Sequence, residues 1–268
     1  MRDSVKPVGV LKKTFVILAC FRSKADGLTL AEISQLTGVN KSTAHRLLSH
    51  LQAEGFLQRE NGRYRIGEGL FQLGILARQP LALLTAAYPV MAALGREIGE
   101  TVNLAILDGL EILILHAVES VHEFRMAAKV GGRRPFYVTA LGKSIAAFLS
   151  KIEFDALLGS LSDPLERPTP NSVGDLETLR GELSLVRARG YAIDNEEAVK
   201  GVRAVGAPVF RGAGEVVAAI SVSGPANRIT EEQIPLLAPA VIEGADTVTT
   251  ALGGRADVSR LAALQEVR

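Results

Sequence analysis

The stretch GVNKSTAHRLLSHL, from Gly38 to Leu51, decides the fold of the N-terminal part of the chain. Its leucines recur at helical spacing, which predicts a helix with one buried face. Small polar and basic side chains gather at the beginning of the same helix, and these are Lys41, Ser42, Thr43 and Arg46. A buried face combined with hydrogen-bond donors at the N-terminal end suits a helix that contacts a polar partner through that end.

The residues before this stretch predict two more helices. The first covers residues 8–24 and ends at the sequence SKADG. Thr29 is suited to cap the second helix, Leu30 to Thr37, and Glu32 three positions later completes a capping box. Gly38 then permits a sharp turn into the third helix.

The residues after it predict a wing. Either Asn40 or Ser42 caps the third helix, which ends where Gly55 stops it. Two short runs of alternating polarity then flank the Asn-Gly pair at 61–62, a strong signal for a two-residue hairpin. Three helices followed by a hairpin form a winged helix-turn-helix, whose helix-turn-helix spans Leu30 to Ser49.

This arrangement predicts contacts with double-stranded DNA. The start of the third helix would enter a major groove, where Arg46 can pair with guanine through two hydrogen bonds. Its neighbours Lys41, Ser42 and Thr43 would bind phosphates or base edges, and Arg63 and Arg65 on the hairpin would reach the backbone or minor groove. The alternative is that these side chains form the solvated polar face of any three-helix domain.

The distribution of charge favours the DNA-binding alternative. The net charge of the 268-residue chain is only +1, but residues 1–66 hold eleven Lys and Arg against five Asp and Glu. The remaining residues carry a small negative charge. A basic N-terminal module joined to a mildly acidic second part indicates a nucleic-acid-binding domain attached to a different kind of domain.

Cysteine content and hydropathy bear on location. Cys20 is the sole cysteine, so no intrachain disulfide can form, and a reducing cytoplasm is expected. The sequence KKTFVILAC imitates a lipoprotein signal, but its apolar run is short, and we favour an amphipathic helix. The longest uncharged stretch near the middle, Gln79 to Gly95, is too short for a membrane span and contains two prolines.

The second part of the chain predicts an α+β domain with a largely antiparallel sheet. Strands are expected at TVNLAILDG, LEILILHAVES, HEFRMAAKVG, GYAID, RAVGAPVF and VVAAISVSG. Helices are expected at Leu81 to Ile98 with a kink or break at Pro89, at TALGKSIAAFLS, from Ile152, at Asp175 to Arg189, and from a Thr230 cap to about Leu252. The boundaries expected are 1–67 for the winged domain, 68–80 for a linker helix, 81–252 for the second domain and 253–268 for a flexible tail.

Two blocks of sequence carry a family resemblance. LTLAEISQLTGVNKSTAHRLLSHLQAEGFLQRENGRYRIG closely resembles the DNA-binding domain of the IclR family of bacterial transcriptional regulators. GYAIDNEEAVKGVRAVGAPVF, followed by AAISVSGPANRIT, is similar to the effector-binding domain of that family. The resemblance covers roughly residues 8–252. It implies a GAF-like effector domain, a homodimer or homotetramer, and control of promoters by a small metabolite.

The same resemblance implies an effector site. Its residues are the backbone groups of Ala140 and Leu141, the acidic side chain of Asp194, the serines Ser221 and Ser223, and position 204. Ser221 and Ser223 alternate along one strand, so their hydroxyls face one side and suit a carboxylate, although strand serines also serve merely to bind neighbouring backbone. Ala204 stands where the family often has a cysteine. The extra apolar room favours an acid with a hydrocarbon or aromatic body over one of two or three carbons.

Motifs for catalysis, metals or cofactors are weak. GxSxG, P-loop and dinucleotide fingerprints are missing from the sequence. His45 and His50 lie five residues apart, which does not suit a shared metal on a helix, and a turn explains His116 and His122 better than a metal site does. We therefore expect a regulator without cofactor or metal, rather than an enzyme regulated by its N-terminal module or a DNA-binding protein that responds to no ligand.

Overall fold

The computed structural model describes residues 9–21, 26–76, 78–126 and 129–254, without the side chains of 71 and 74–80. The chain divides into two compact units, Met1–Leu81 and Ala82–Arg268. The expected flexible tail lies outside the described residues apart from its first two positions.

The first unit is a winged helix-turn-helix, as predicted. Its elements are α1 (Gly9–Cys20), α2 (Leu30–Thr37), α3 (Lys41–Ala53), β1 (Leu57–Glu60), β2 (Arg63–Ile66) and α4 (Glu68–Leu76). Apolar side chains from the helices and the hairpin meet in one core, in which Ile17, Ile33 and Leu48 are completely buried. Asn61 and Gly62 both adopt positive φ, as the predicted tight turn between β1 and β2 requires.

Local capping explains where the two helices of the motif begin. The Thr29 side chain accepts a hydrogen bond from the backbone of Glu32, whose carboxylate accepts one in return from the Thr29 N–H. Of the two candidates for the next cap, the structure selects Asn40, whose Oδ1 accepts from the Thr43 N–H at 2.9 Å. The capping box therefore fixes the start of α2, and the Asn40 cap fixes the start of α3.

The wing is attached to the helices through backbone pairing. Leu28 and Tyr64 exchange two hydrogen bonds, of 2.9 and 2.8 Å. Gly27 makes this close approach feasible, because it has a φ of +81° and a Cβ at this position would lie 2.6 Å from the Tyr64 carbonyl oxygen. The hairpin is therefore held against the beginning of α2.

The second unit is built on a six-stranded antiparallel sheet with the strand order β5-β4-β3-β8-β7-β6. Its strands are β3 (Thr101–Asp108), β4 (Glu111–Val118), β5 (Arg133–Pro135), β6 (Ala192–Asn195), β7 (Val202–Arg211) and β8 (Glu215–Pro225). Its helices are α5 (Arg78–Ile98), which begins in the first unit, and α6 (Ala140–Ala146), α7 (Lys151–Gly159), α8 (Leu176–Arg189) and α9 (Ile234–Ala251). This mixture confirms the predicted α+β class.

The two faces of the six-stranded sheet pack against different helices. On one face, Val205 and Val222 pack in a core with apolar residues of α5 and α9. Ala204 lies next to Val205 in β7 but belongs to the opposite face, where α6 and α8 contribute to a second core. Because side chains alternate along a strand, the polar residues Ser221 and Ser223 also face α6. A ligand site can form only on this second face, because the first is filled with apolar packing.

The predicted strand at HEFRMAAKVG is wrong. Residues 121–124 form bends, residues 125–126 have no regular structure, and the strand next to β4 is instead the three-residue β5. The Thr101 hydroxyl donates to the Met126 carbonyl at 3.0 Å, and Arg228 Nη2 donates to the Phe124 carbonyl at 3.0 Å. Side chains thus bind backbone carbonyls that a strand would pair with its neighbour.

Three further boundaries differ from the prediction. The linker helix ends at Leu76, and α5 already begins at Arg78, since Pro80 falls in a first turn where proline is tolerated. The helix continues through Pro89, so of the two predicted effects of this proline, a kink or a break, the break does not occur. A turn in which the Thr230 carbonyl accepts from Gln233 and Ile234 precedes α9.

One segment of α5 passes a simple test for membrane spans. Among the described helices, only Leu81–Ile98 is long and apolar enough to cross a bilayer by length and composition. Core helices of soluble proteins are often equally long and apolar. Met91, Ala87 and Leu94 of this segment are buried in the core beside the sheet.

Candidate DNA-contacting surface and ligand pocket

Helix α3 divides into a buried and an exposed face, as its sequence pattern predicts. Ala44, Leu47, Leu48 and Leu51 are buried. The opposite face exposes Lys41, Ser42, His45, Arg46 and Ser49, while Thr43 is half-buried. Within the described residues, neither Lys41 nor Arg46 forms an ion pair. Both cations are therefore available to a partner with phosphates.

The two arginines of the wing are placed differently from the two cations of α3, Lys41 and Arg46. Arg63 Nη1 lies 3.1 Å from Glu32 Oε2 and 3.4 Å from the Gly27 carbonyl, so this side chain binds the start of α2. Arg65 pairs with Glu60 at 3.4 Å. Exposed ion pairs of this kind contribute about 0–1 kcal/mol, so a phosphate can compete for both arginines.

A cavity of about 170 Å³ lies on the face of the sheet that carries the two serines. All six residues expected at the effector site line it, namely Ala140, Leu141, Asp194, Ala204, Ser221 and Ser223. Strand register explains why they meet, since Ser223 pairs with Ala204 and Ala204 pairs with Asp194, in one row across three strands. Residues far apart in the sequence therefore share one wall.

Helix α6 closes the cavity because one strand lets it approach closely. Gly206 in β7 faces the helix, and a Cβ at that position would lie 3.0 Å from the carbonyl carbon and oxygen of Ala140. The Thr139 side chain caps the helix by accepting from the Gly142 N–H at 3.0 Å. The N–H groups of Ala140 and Leu141, in the first turn, have no acceptor within the helix itself.

The structure adds Asn103, a pocket residue that the sequence reasoning missed. Asn103 is 6% exposed and lines the cavity, and its Nδ2 donates to Ser223 Oγ at 2.9 Å. Its Oδ1 is buried and has no hydrogen-bond partner among the described residues. A signal was available, because an amide inside the apolar strand TVNLAILDG needs a polar partner when it is buried.

Asp194 is a buried carboxylic acid with an unusual pKa. Its Oδ1 accepts from the N–H groups of Glu197 and Ala198, at 2.8 and 3.3 Å. Burial raises the pKa of Asp194 to about 7, although these hydrogen bonds and nearby Lys143 act in the opposite direction. Near neutral pH the group is therefore partly protonated and able to donate a hydrogen bond.

A buried ion cluster lies beside Asp194. Lys143 of α6 is completely buried, and its Nζ lies 2.5 Å from Glu182 Oε1 and 2.6 Å from Glu197 Oε1. Burial raises the pKa of Glu197, and Lys143 partly offsets that effect. The cluster joins α6 and α8 to the loop after β6, which also binds Asp194 through its backbone. It therefore supports the floor of the cavity.

The remaining charges of the cavity are cationic and lie at its rim. Lys129, Arg133 and Arg134 line it. Arg133 is committed to ion pairs with Asp108 and Glu111. Among the described residues, no group of three or more His, Cys, Asp or Glu is placed to hold a metal.

Two domain families match the chain in sequence. The helix-turn-helix domain of IclR matches residues 10–61, and the bacterial transcriptional regulator IclR C-terminal domain matches residues 76–250. The transcriptional repressor IclR of Escherichia coli (strain K12) is 36% identical over 231 residues, 85% of this chain and 84% of its own. The repressor AllR of the same organism is 32% identical over 253 residues, 94% and 93% of the two chains.

Solved structures show the same similarity. The Thermotoga maritima IclR superposes with a TM-score of 0.74 and 32% identity, over 91% of this chain and 98% of its own. An IclR homolog from Microbacterium hydrocarbonoxydans, complexed with 4-hydroxybenzoate, superposes with a TM-score of 0.76 and 25% identity. That superposition covers 91% of this chain and 99% of the homolog.

Proposed function

This chain belongs to the IclR family of bacterial transcriptional regulators, and we propose that a small organic acid controls its binding to operator DNA. Its winged helix-turn-helix makes it a DNA-binding regulator, and the family does not consist of enzymes. The organic acid and its site are the parts of the function that we infer. Because operator DNA lies in the bacterial cytoplasm, we place the protein there.

The buried oxygen of Asn103 carries the proposal of a ligand. An unpaired polar atom in a protein interior costs about 1–3 kcal/mol, so its presence needs an explanation. Asn103 lines the cavity, its Nδ2 binds the hydroxyl of Ser223, and its Oδ1 has no partner among the described residues. A ligand with a hydroxyl or N–H group would satisfy it, and a protein that only oligomerises would have no use for the arrangement.

The other lining groups indicate how an acid would lie. We place its carboxylate against the hydroxyls of Ser221 and Ser223 and the N–H groups of Ala140 and Leu141. Asp194 then binds a hydroxyl, an N–H or a water. Ala204 and Leu141 provide apolar surface, which favours a hydrocarbon or aromatic body. The complex of the M. hydrocarbonoxydans homolog with 4-hydroxybenzoate supports this class of ligand.

We further propose a symmetric homodimer or homotetramer. One recognition helix reads too few bases for a specific site, whereas two helices about 34 Å apart can enter successive major grooves. The linker helix α4 is the proposed interface through Leu70, Phe71, Leu73 and Ile75. Leu73 is 55% exposed, which agrees with that role. The side chains of Phe71 and Ile75 lie outside the described residues.

Removing the guanidinium of Arg46 should weaken operator binding. We expect Arg46→Ala to cost about 1–3 kcal/mol and to relax the preference at one base position. Titration of labelled operator at several salt concentrations would measure this, and log affinity should fall by about 0.9 per phosphate contact against log salt. Arg211→Ala, on the sheet of the second unit, is the matched control. Unchanged affinity in Arg46→Ala would show that α3 is not the recognition helix.

Removing one pocket hydroxyl should weaken effector binding and leave operator binding intact. A buried hydrogen bond to a charged ligand contributes about 1.5–3 kcal/mol, so Ser221→Ala should weaken binding about tenfold to a hundredfold. Calorimetry on the full chain would measure it, with 4-hydroxybenzoate and a panel of metabolite acids as probes. Ser184→Ala, at an exposed position in α8, is the control.

Two outcomes of that experiment would contradict the proposal. Wild-type affinity in both Ser221→Ala and Asp194→Ala would place the ligand elsewhere. Tight binding of glyoxylate or pyruvate would refute the size argument based on Ala204. If no acid stabilised the wild-type protein in a thermal-shift screen, the second unit would serve oligomerisation alone.

A further inference from the structure

Arg134 is a cation at the rim of the cavity that the fold leaves without a carboxylate. It occupies β5 and lines the cavity together with its register partner Ile112 in β4. Its Nη1 donates a hydrogen bond to the Arg133 carbonyl at 3.3 Å. Among the described residues, no carboxylate oxygen lies within ion-pair distance of its guanidinium. Neighbouring Arg133, in contrast, is bound by two carboxylates.

The polar groups of the cavity thus lie at two separated ends. Ser221 and Ser223 are in β8, and β5 is three strands away in the order β5-β4-β3-β8. Strands are spaced about 4.8 Å apart, so the two ends are separated by roughly 14 Å across the sheet. They are also offset by a similar length, roughly 14 Å, along the strands, because Ser221 pairs with Asn103, whereas the partner of Arg134, Ile112, pairs with Leu107. The long side chain of Arg134 shortens this gap. Between them the wall carries the amide of Asn103 on β3 next to the serines and is apolar on β4, where it includes Ile112 and Ile114.

From this arrangement we infer that Arg134 selects effectors that carry a second anionic group, so that the preferred ligand is a dicarboxylate. One carboxylate lies at the serines, the spacer lies on the apolar wall, and the other carboxylate pairs with the guanidinium of Arg134. Arginine binds a carboxylate through two parallel hydrogen bonds, which a neutral ligand end does not form. The inference rests on the proposed function, because it assigns the second end of the same ligand.

Matched pairs of acids test this directly. Calorimetry on the full chain would compare succinate with butyrate, adipate with hexanoate, octanedioate with octanoate, and terephthalate with benzoate, which brackets the spacer length. We expect at least one dicarboxylate to bind tenfold or more tightly than its monoacid. Since Arg134 is exposed, this preference should decline at high salt.

Variants separate this role from a general effect of charge. In Arg134→Met the preference for the dicarboxylate should fall below about threefold while the monoacid keeps its affinity, and Arg134→Lys should retain part of it. Arg211→Met removes a cation from the same sheet outside the cavity and should change neither affinity. Loss of affinity for the monoacid as well would indicate a merely structural role for Arg134 and overturn the inference.

The role of Arg134 and the proposed function can be disproved separately. Equal affinity for every matched pair, with binding still weakened by Ser221→Ala, would overturn the role of Arg134 and leave the proposed function standing. Failure of all eight acids to bind would overturn both. A dicarboxylate preference that persists in Arg134→Met would assign the second carboxylate to another cation.

Discussion

Replacing Lys143 with methionine should lower the free energy of unfolding of the second unit by about 3–5 kcal/mol. Lys143 is completely buried between Glu182 and Glu197, and Glu197 is itself nearly buried. Without the ammonium, the nearly buried Glu197 and the partly exposed Glu182 would face each other without the cation that binds both. Breaking a buried ion pair by removing one partner costs far more than losing an exposed one.

Denaturation by urea, followed by hydrogen exchange of the sheet amides, would report the stability of this unit alone. Lys151→Met, at an exposed position in α7, should change the stability by less than about 0.5 kcal/mol. Adding Glu197→Gln to Lys143→Met should recover part of the loss, because it removes one of the two unpaired charges. A loss below about 1 kcal/mol in the single variant would mean that water reaches the cluster.

Substitution of Gly142 by alanine should be nearly as damaging, for a steric reason. A Cβ at Gly142 would lie 2.3 Å from the Phe136 carbonyl oxygen and 2.5 Å from its Cα, closer than real Cβ atoms approach. Since both atoms are backbone and Phe136 is completely buried, helix α6 itself must move. We expect a loss of about 3 kcal/mol and at least a tenfold weaker effector complex, because α6 carries Ala140 and Leu141.

The same substitution elsewhere provides the control. Gly181 lies inside α8, and a Cβ there would meet no atom within 4 Å. Gly181→Ala should therefore raise the stability by about 0.5–1 kcal/mol through its helix propensity. If Gly142→Ala behaved like Gly181→Ala in thermal denaturation and calorimetry, the close contact between α6 and Phe136 would not constrain the pocket.

The elements that sequence alone predicts are those fixed by neighbouring residues. Each of them involves partners a few positions apart in the sequence. Examples are the Thr29–Glu32 capping box, the turn at 61–62 and the helical spacing of the leucines in α3. The strand predicted at HEFRMAAKVG, residues 122–131, is wrong for the opposite reason. Its backbone is bound by Thr101 and Arg228, and no local pattern reveals these distant donors.

The pocket residues likewise differ in whether the sequence alone predicts them. The family resemblance supplied Ser221, Ser223 and Asp194, but it did not show that Asn103 pairs with Ser223 across 120 residues of sequence. That contact depends on the register between β3 and β8, which are not consecutive. In the sequence, Arg134 is one of two adjacent arginines with nothing to tell them apart. Both line the cavity, and only the structure shows that Asp108 and Glu111 pair with Arg133 and leave Arg134 without a carboxylate among the described residues.

The shortness of β5 has a consequence for how such a receptor can change. Strand β5 has three residues and pairs with one neighbour at the edge of the sheet, so a new side chain at position 134 disturbs little else. Helix α6 allows no such freedom, since Gly142 and Lys143 are fixed by backbone contact and buried charge. Divergence between paralogues, and the engineering of biosensors for new metabolites, should therefore begin at the edge strand and spare the helix.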